Sequence, residues 1–146
     1  MRLTVYTDYS LRVLMYLGIR PDRLCTIQEI ASAYDISRNH LMKVAHQLGL
    51  AGYVETVRGR GGGLRLARPP AQIGIGAVVR ACEEDFRLVE CFDPERNRCV
   101  ITPACRLTAM LAEALDAYLA VLDGYTLADL LRDDTRLRRL LAIAEA

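Results

Sequence analysis

Residues 26–66 constrain the fold more than any other part of the chain. Thr26-Ile27-Gln28-Glu29 has the T-x-x-E spacing of a capping box, in which the hydroxyl and the carboxylate each take up an orphan backbone N–H at a helix start. The short helix that begins there runs through Ala33, and Tyr34-Asp35-Ile36 supplies a tight turn. Ser37 is placed to cap a second helix, whose Leu41, Val44, Ala45 and Leu48 recur at helical spacing until Gly49 and Gly52 end it. Helix, short turn, helix is the helix-turn-helix arrangement. Directly after it, Tyr53-Val54-Glu55-Thr56-Val57-Arg58 and Leu64-Arg65-Leu66 alternate with period two around a GRGGG segment, the pattern of a β-hairpin. The two motifs in succession predict a winged helix. The glycines do not make a phosphate loop, because no G-x-x-x-x-G-K-[ST] pattern is present; in a hairpin tip they supply positive φ and close backbone approach.

The rest of the chain reads as helices around this unit. Leu11, Leu14, Met15 and Ile19 predict a first helix from about Tyr6 to Gly18, closed by Pro21 and Asp22. After Pro69-Pro70, helical spacing resumes from Ile73 to about Glu84 through Ile75, Val78, Val79 and Cys82. Thr102-Pro103 starts the longest helix, with Pro103 at the first position, where its missing N–H costs nothing. Leu107, Met110, Leu111, Ala114, Leu115, Tyr118 and Leu122 form a wide apolar stripe along it until Gly124. The first four helices already supply a small domain with a core, so the stripe is expected to pack on a second subunit. A short helix from Thr126, with Asp129 in a box-like position, and the basic stretch Arg136 to Arg139 finish the chain. The expected architecture is mainly α: a winged helix-turn-helix with a small β-hairpin wing over residues 1–80, then a loop and a long C-terminal dimerisation helix over 81–146.

Charge separates the same two parts. Residues 1–70 carry ten Lys and Arg against five Asp and Glu, whereas 71–146 carry nine against thirteen, so the first part suits a polyanion and the second does not. The N-terminal turn of the second motif helix offers Ser37, Arg38, Asn39, His40 and Lys43, all polar if Leu41 and Val44 face the core. Ser37 and the backbone N–H groups there can hold a phosphate, while Asn39, His40 and Lys43 can reach base edges in the major groove. Arg58, Arg60 and Arg65 on the hairpin would meet phosphates, with Arg60 at the tip able to enter a narrow minor groove. His46 reads as an ordinary surface or core residue. No nucleophile, acid and base converge, so enzyme activity is not expected. The apolar run near the N-terminus is interrupted by Asp8 and Arg12 and reads as a helix of the fold rather than a signal peptide or membrane span. A cytoplasmic chain with reduced thiols is therefore expected, and an odd cysteine count of five agrees with it.

Three of those cysteines lie in one polar loop, spaced Cys91-x7-Cys99-x5-Cys105. Structural zinc sites favour closer C-x2-4-C pairs. Buried inert thiols describe Cys25 and Cys82, beside helical apolar positions, better than cysteines flanked by Asp93, Glu95, Arg96 and Arg98. An iron–sulfur cluster needs thiolates from a chain that wraps an inorganic core, and wider gaps suit it. Cys105, in the first turn of the helix expected to be capped by Thr102, would have its thiolate favoured by the helix dipole. Spacing alone leaves cluster, zinc or reactive thiols, and inert thiols all open.

The stretches YTDYSLRVLMYLG, TIQEIA, ISRNHLMKVAHQL, YVETVRGRGGGLRL and CVITPACRL resemble, in order and over nearly the whole chain, the iron–sulfur winged-helix repressors. The match is closest to the family's nitric-oxide-sensing branch. The resemblance implies a homodimeric repressor bound to double-stranded operator DNA, with Cys91, Cys99 and Cys105 as cluster ligands and nitric oxide as the signal. It also implies a fourth ligand: Asp8, contributed by the other subunit, completing a [4Fe-4S] site, where other members use a histidine at the position of Thr108. The alternative within the family is a cluster-assembly or redox regulator carrying [2Fe-2S]. The gap between Cys91 and Cys99 is longer than is usual in the family.

Overall fold

The computed structural model describes residues 1–142, so the last four residues of the expected 81–146 part lie outside it. Its helices are α1 (Val5–Gly18), α2 (Ile27–Tyr34), α3 (Arg38–Leu50), α4 (Ile75–Cys82), α5 (Arg106–Asp123), α6 (Leu127–Leu130) and α7 (Thr135–Leu140). Strands β1 (Val54–Val57) and β2 (Gly63–Leu66) lie between α3 and α4. Short 3-10 turns occur at Pro70–Gln72, Glu90–Phe92 and Thr102–Ala104. The expected mainly helical winged helix is borne out.

Helix α1 is the spine of the core. Thr4 caps it by accepting the Thr7 N–H at 3.2 Å, and Val13, Leu14, Tyr16 and Leu17 bury one face against α3, α4, α6 and the hairpin. Ser10 sits in that face without penalty because its hydroxyl donates to Tyr6 O at 2.8 Å. The capping box of α2 is complete: Thr26 Oγ1 accepts the Glu29 N–H at 3.2 Å, and the Thr26 N–H donates to Glu29 Oε2 at 3.0 Å. Asp35 then adopts φ 52°, a left-handed turn that a short polar side chain tolerates, and the chain enters α3. Leu41, Val44, Ala45 and Leu48 are buried as their spacing predicts.

The hairpin pairs Val54 with Leu66, Glu55 with Arg65, Thr56 with Leu64 and Val57 with Gly63. Cys25 joins its open edge through Cys25 N–H to Leu64 O at 2.9 Å and Leu64 N–H to Cys25 O at 2.7 Å, which ties the wing to the start of α2. A Cβ on Gly63 would lie 2.7 Å from Cys25 O, so glycine is what permits this approach.

Two boundaries and one cap differ from expectation. Helix α4 starts at Ile75 rather than Ile73 because Ile73–Ile75 is extended and paired with 125–127: Leu127 N–H donates to Ile73 O at 2.8 Å and Ile75 N–H to Tyr125 O at 2.9 Å. Thr102-Pro103 forms a separate 3-10 turn, and α5 begins at Arg106 with Cys105 as its N-cap residue. Ser37 occupies the N-cap position of α3, yet its side chain makes no capping hydrogen bond. The Thr126 and Asp129 box does form, with the Thr126 N–H donating to Asp129 Oδ2 at 2.8 Å, and places Leu127 fully inside the core.

Helix α5 buries none of its residues. It rests on α4, where Arg80 holds Asp123 in a bidentate pair at 2.5 and 2.8 Å, but Leu107 and Met110 remain 56% and 64% exposed. Among the described residues no helix is long and apolar enough to cross a membrane.

Candidate nucleic-acid interface and thiol loop

Burial of the apolar face of α3 turns the other face outward. Ser37, Arg38, Asn39, His40 and Lys43 are all exposed, as are Arg58 and Arg60 around the hairpin tip. The absence of a Ser37 side-chain cap leaves the N–H groups of the first turn of α3 available to an anion, which the positive end of the helix dipole favours. Arg65 differs from the other wing arginines. It faces Glu55 across the ladder and donates to Glu55 Oε2 at 2.8 Å, so its charge is already partnered. Met42, 46% exposed on the same surface, was not singled out by spacing and offers an apolar contact beside the polar ones.

In the second part, Cys91 and Cys105 converge on one residue. Cys91 Sγ lies 3.2 Å from Thr108 Oγ1. The Thr108 backbone N–H, then its hydroxyl, lower the Cys105 pKa from its ordinary thiol value; desolvation opposes them and the Leu107 N–H adds a smaller lowering. Cys105 thus has the thiolate bias expected of it, but from the N-cap position rather than from within the first turn. Cys99 is exposed in the adjoining turn, where its N–H donates to Asn97 Oδ1 at 3.0 Å and its carbonyl accepts the Thr102 hydroxyl at 2.9 Å. Asp93 anchors the segment between: it is buried, accepts Arg87 Nη1 at 2.6 Å and takes the Glu95 N–H at 3.1 Å. Neither Asp93 nor Thr108 was expected as an organiser of this loop, since nothing in local spacing marks them.

The remaining thiols have a different chemistry. Cys25 is fully buried and desolvation pushes it up to about 11, with Glu29 adding to the effect; burial likewise raises Cys82. Asp8, on the first turn of α1, is half-exposed and bound by Arg12 at 2.7 Å. It does not join the thiols of its own chain: among the described residues no three His, Cys, Asp or Glu side chains gather closely enough to hold a metal ion. The loop nevertheless suits a thiolate-bound group in donor chemistry, with three accessible thiols, two sharing Thr108 and one held toward thiolate.

The sequence model of the Rrf2 family, described as an iron-dependent transcriptional regulator, matches residues 3–133. The chain belongs to the Rrf2 family. The HTH-type transcriptional regulator NsrR of Bacillus subtilis strain 168 is 58% identical over 146 residues, spanning 99% of this chain and all of the relative. Among solved structures, that of a transcriptional regulator from Listeria innocua superposes with a TM-score of 0.77 at 28% identity, covering 92% of this chain and 89% of its own. IscR of T. potens superposes with a TM-score of 0.75, covering 100% and 94%; at 22% identity that likeness supports the Rrf2 fold alone. The resemblance read from the five motifs is borne out, and the relatives are named as regulators of transcription.

Proposed function

We propose that this chain is a homodimeric DNA-binding repressor that senses nitric oxide through an iron–sulfur cluster, [4Fe-4S], and leaves its operator when the cluster is attacked. Cys91, Cys99 and Cys105 of one subunit and Asp8 of the other are its ligands in this reading. The observation that carries it is the exposed first turn of α3, free of a side-chain cap, beside a wing whose Arg58 and Arg60 are exposed. Similarity to NsrR and the iron dependence of the Rrf2 family support the rest.

Residues 1–80 would read DNA, with Asn39, His40 and Lys43 at base edges and Ser37, Arg38, Arg58 and Arg60 at phosphates; Arg65, expected there too, would contribute less because Glu55 already holds it. Residues 81–146 would carry the thiols and the apolar α5 face on which a second copy packs. When bound, the cluster supplies iron open to small molecules where a carboxylate, a weaker ligand than thiolate, completes the site. The chain's residues do the remaining work. Thr108 biases Cys105 toward thiolate, Asp93 pins the loop, and a cross-subunit Asp8 ties the thiol loop of one chain to α1 of the other. That tie sets the separation of two α3 helices, which must match half-sites about 34 Å apart or a multiple of it. Releasing Asp8 loosens the spacing, and losing one half-site weakens binding by orders of magnitude.

The test is anaerobic purification with iron counting, absorption spectra and DNA binding before and after nitric oxide. Mixed dimers of Asp8→Ala and Cys99→Ala subunits should regain one intact site, built from the thiolates of the first and the carboxylate of the second. A colourless protein holding zinc, or mixed dimers with no wild-type-like spectrum, would show the ligand assignment to be wrong.

A further inference from the structure

Tyr9 stands between α1 and the first turn of α3. Its ring meets the His40 imidazole edge-on, with centroids 6.0 Å apart and planes at 63°. The Arg12 guanidinium lies over the same ring, 5.6 Å from its centroid, and 5.9 Å from the centroid of Tyr34. Arg12 Nε and Nη2 also hold the two Asp8 oxygens at 3.2 and 2.7 Å. The Tyr34 hydroxyl donates to Arg12 O at 3.1 Å, so α1 and the last turn of α2 are fastened at this residue. A continuous set of contacts therefore runs from a carboxylate on α1 to a side chain on the exposed face of α3.

We propose that Tyr9 is a positioning residue for His40, and that Arg12 passes the state of the Asp8 carboxylate to it. An edge-on aromatic pair has a preferred geometry, so the Tyr9 ring biases which way the imidazole points into the groove. The Arg12 cation over the same ring holds the ring itself. The link at Asp8 is exchangeable: both side chains of the ion pair are more than 40% exposed, and such pairs contribute little as structural staples. When Asp8 turns to another partner, the Arg12 guanidinium is released from the carboxylate and settles on the Tyr9 and Tyr34 rings alone, so the Tyr9 ring and His40 beside it take their DNA-reading positions in the same state that holds the two α3 helices at operator spacing. This second step rests on the reading that Asp8 serves the other subunit's thiol loop. The contact between Tyr9 and His40 does not.

Magnetic resonance separates the two, because the chain has only two histidines and His46 serves as an internal control. In the iron-free full-length protein, Tyr9→Leu should remove the ring-current shift of the His40 carbon-bound protons and leave His46 in place, while Tyr9→Phe should preserve both. Arg12→Gln and Asp8→Asn should move His40 with Tyr9 intact. Against a duplex selected from a random pool by the wild-type protein, Tyr9→Leu should cut preference over a scrambled duplex by about fivefold or more, the low end of ordinary coupling between sites, and Tyr9→Phe should restore it. An unmoved His40 in Tyr9→Leu, or a moved His40 with unchanged preference, overturns the proposal; if Tyr9→Leu does not fold, an unmoved His40 in Arg12→Gln does so. Absence of iron in the wild-type protein with these His40 effects intact would sink the cluster reading alone.

Discussion

Removing the two unpartnered wing arginines should change how DNA binding responds to salt, by an amount that follows from the structure. Arg58 and Arg60 are exposed and have no ion-pair partner among the described residues, whereas Arg65 is already held by Glu55 at 2.8 Å. If each of the first two neutralises one phosphate, a dimer makes four such contacts, and at about 0.9 per phosphate the slope of log K against log salt contains about 3.6 from them. Between 50 and 200 mM salt that slope corresponds to about a 150-fold fall in affinity, which the double variant Arg58→Ala/Arg60→Ala should no longer show. Arg65→Ala should move the slope much less, because its charge is spent on Glu55 before DNA arrives. The assay is fluorescence anisotropy with a labelled duplex over a salt series, using specific and scrambled sequences. Both should lose affinity alike, since phosphate contacts carry no sequence information. An unchanged slope in the double variant, or a larger effect from Arg65→Ala, would refute the placement of the wing on DNA.

Three further outcomes are expected. Asn39→Ala should relax operator preference by about 1–3 kcal/mol while leaving the salt slope in place, as read by competition between specific and scrambled duplexes. In the iron-free protein, iodoacetamide should alkylate Cys105 at lower pH than an ordinary thiol and leave Cys25 and Cys82 unmodified; Thr108→Val should move the Cys105 profile up by removing the hydroxyl contribution, with the backbone N–H contribution remaining. Glu29 should give acid sensitivity: burial alone would raise its carboxyl, but Arg23, the Thr26 N–H and Tyr16 hold it down to about 2. Its folded pKa is below the unfolded value, so its stabilisation is present above about pH 4.5 and is lost as pH falls toward 2. Thermal melts of Glu29→Gln should therefore differ from wild type at neutral pH and converge with it in acid.

Local spacing in the sequence determined a great deal. The T-x-x-E box at Thr26, the buried set Leu41, Val44, Ala45 and Leu48, and the period-two strands around GRGGG are set by interactions within a few residues, so their outcome is legible from a short window. The exposed set from Ser37 to Lys43 followed from the same periodicity, because fixing the buried face of a helix fixes the other one. Boundaries that depend on distant partners were not legible: the start of α4 moved because Ile73–Ile75 pairs with residues 125–127, a pairing that, with the Thr126 box, holds Leu127 in the core. The meeting of Cys91 with Thr108, the pinning of the thiol loop by Asp93, the pairing of Arg65 with Glu55 across the wing and the edge contact of Tyr9 with His40 were likewise decided by tertiary structure. Each joins side chains whose nearness depends on how whole elements pack, and packing is settled by the summed burial of many residues rather than by the spacing of any few.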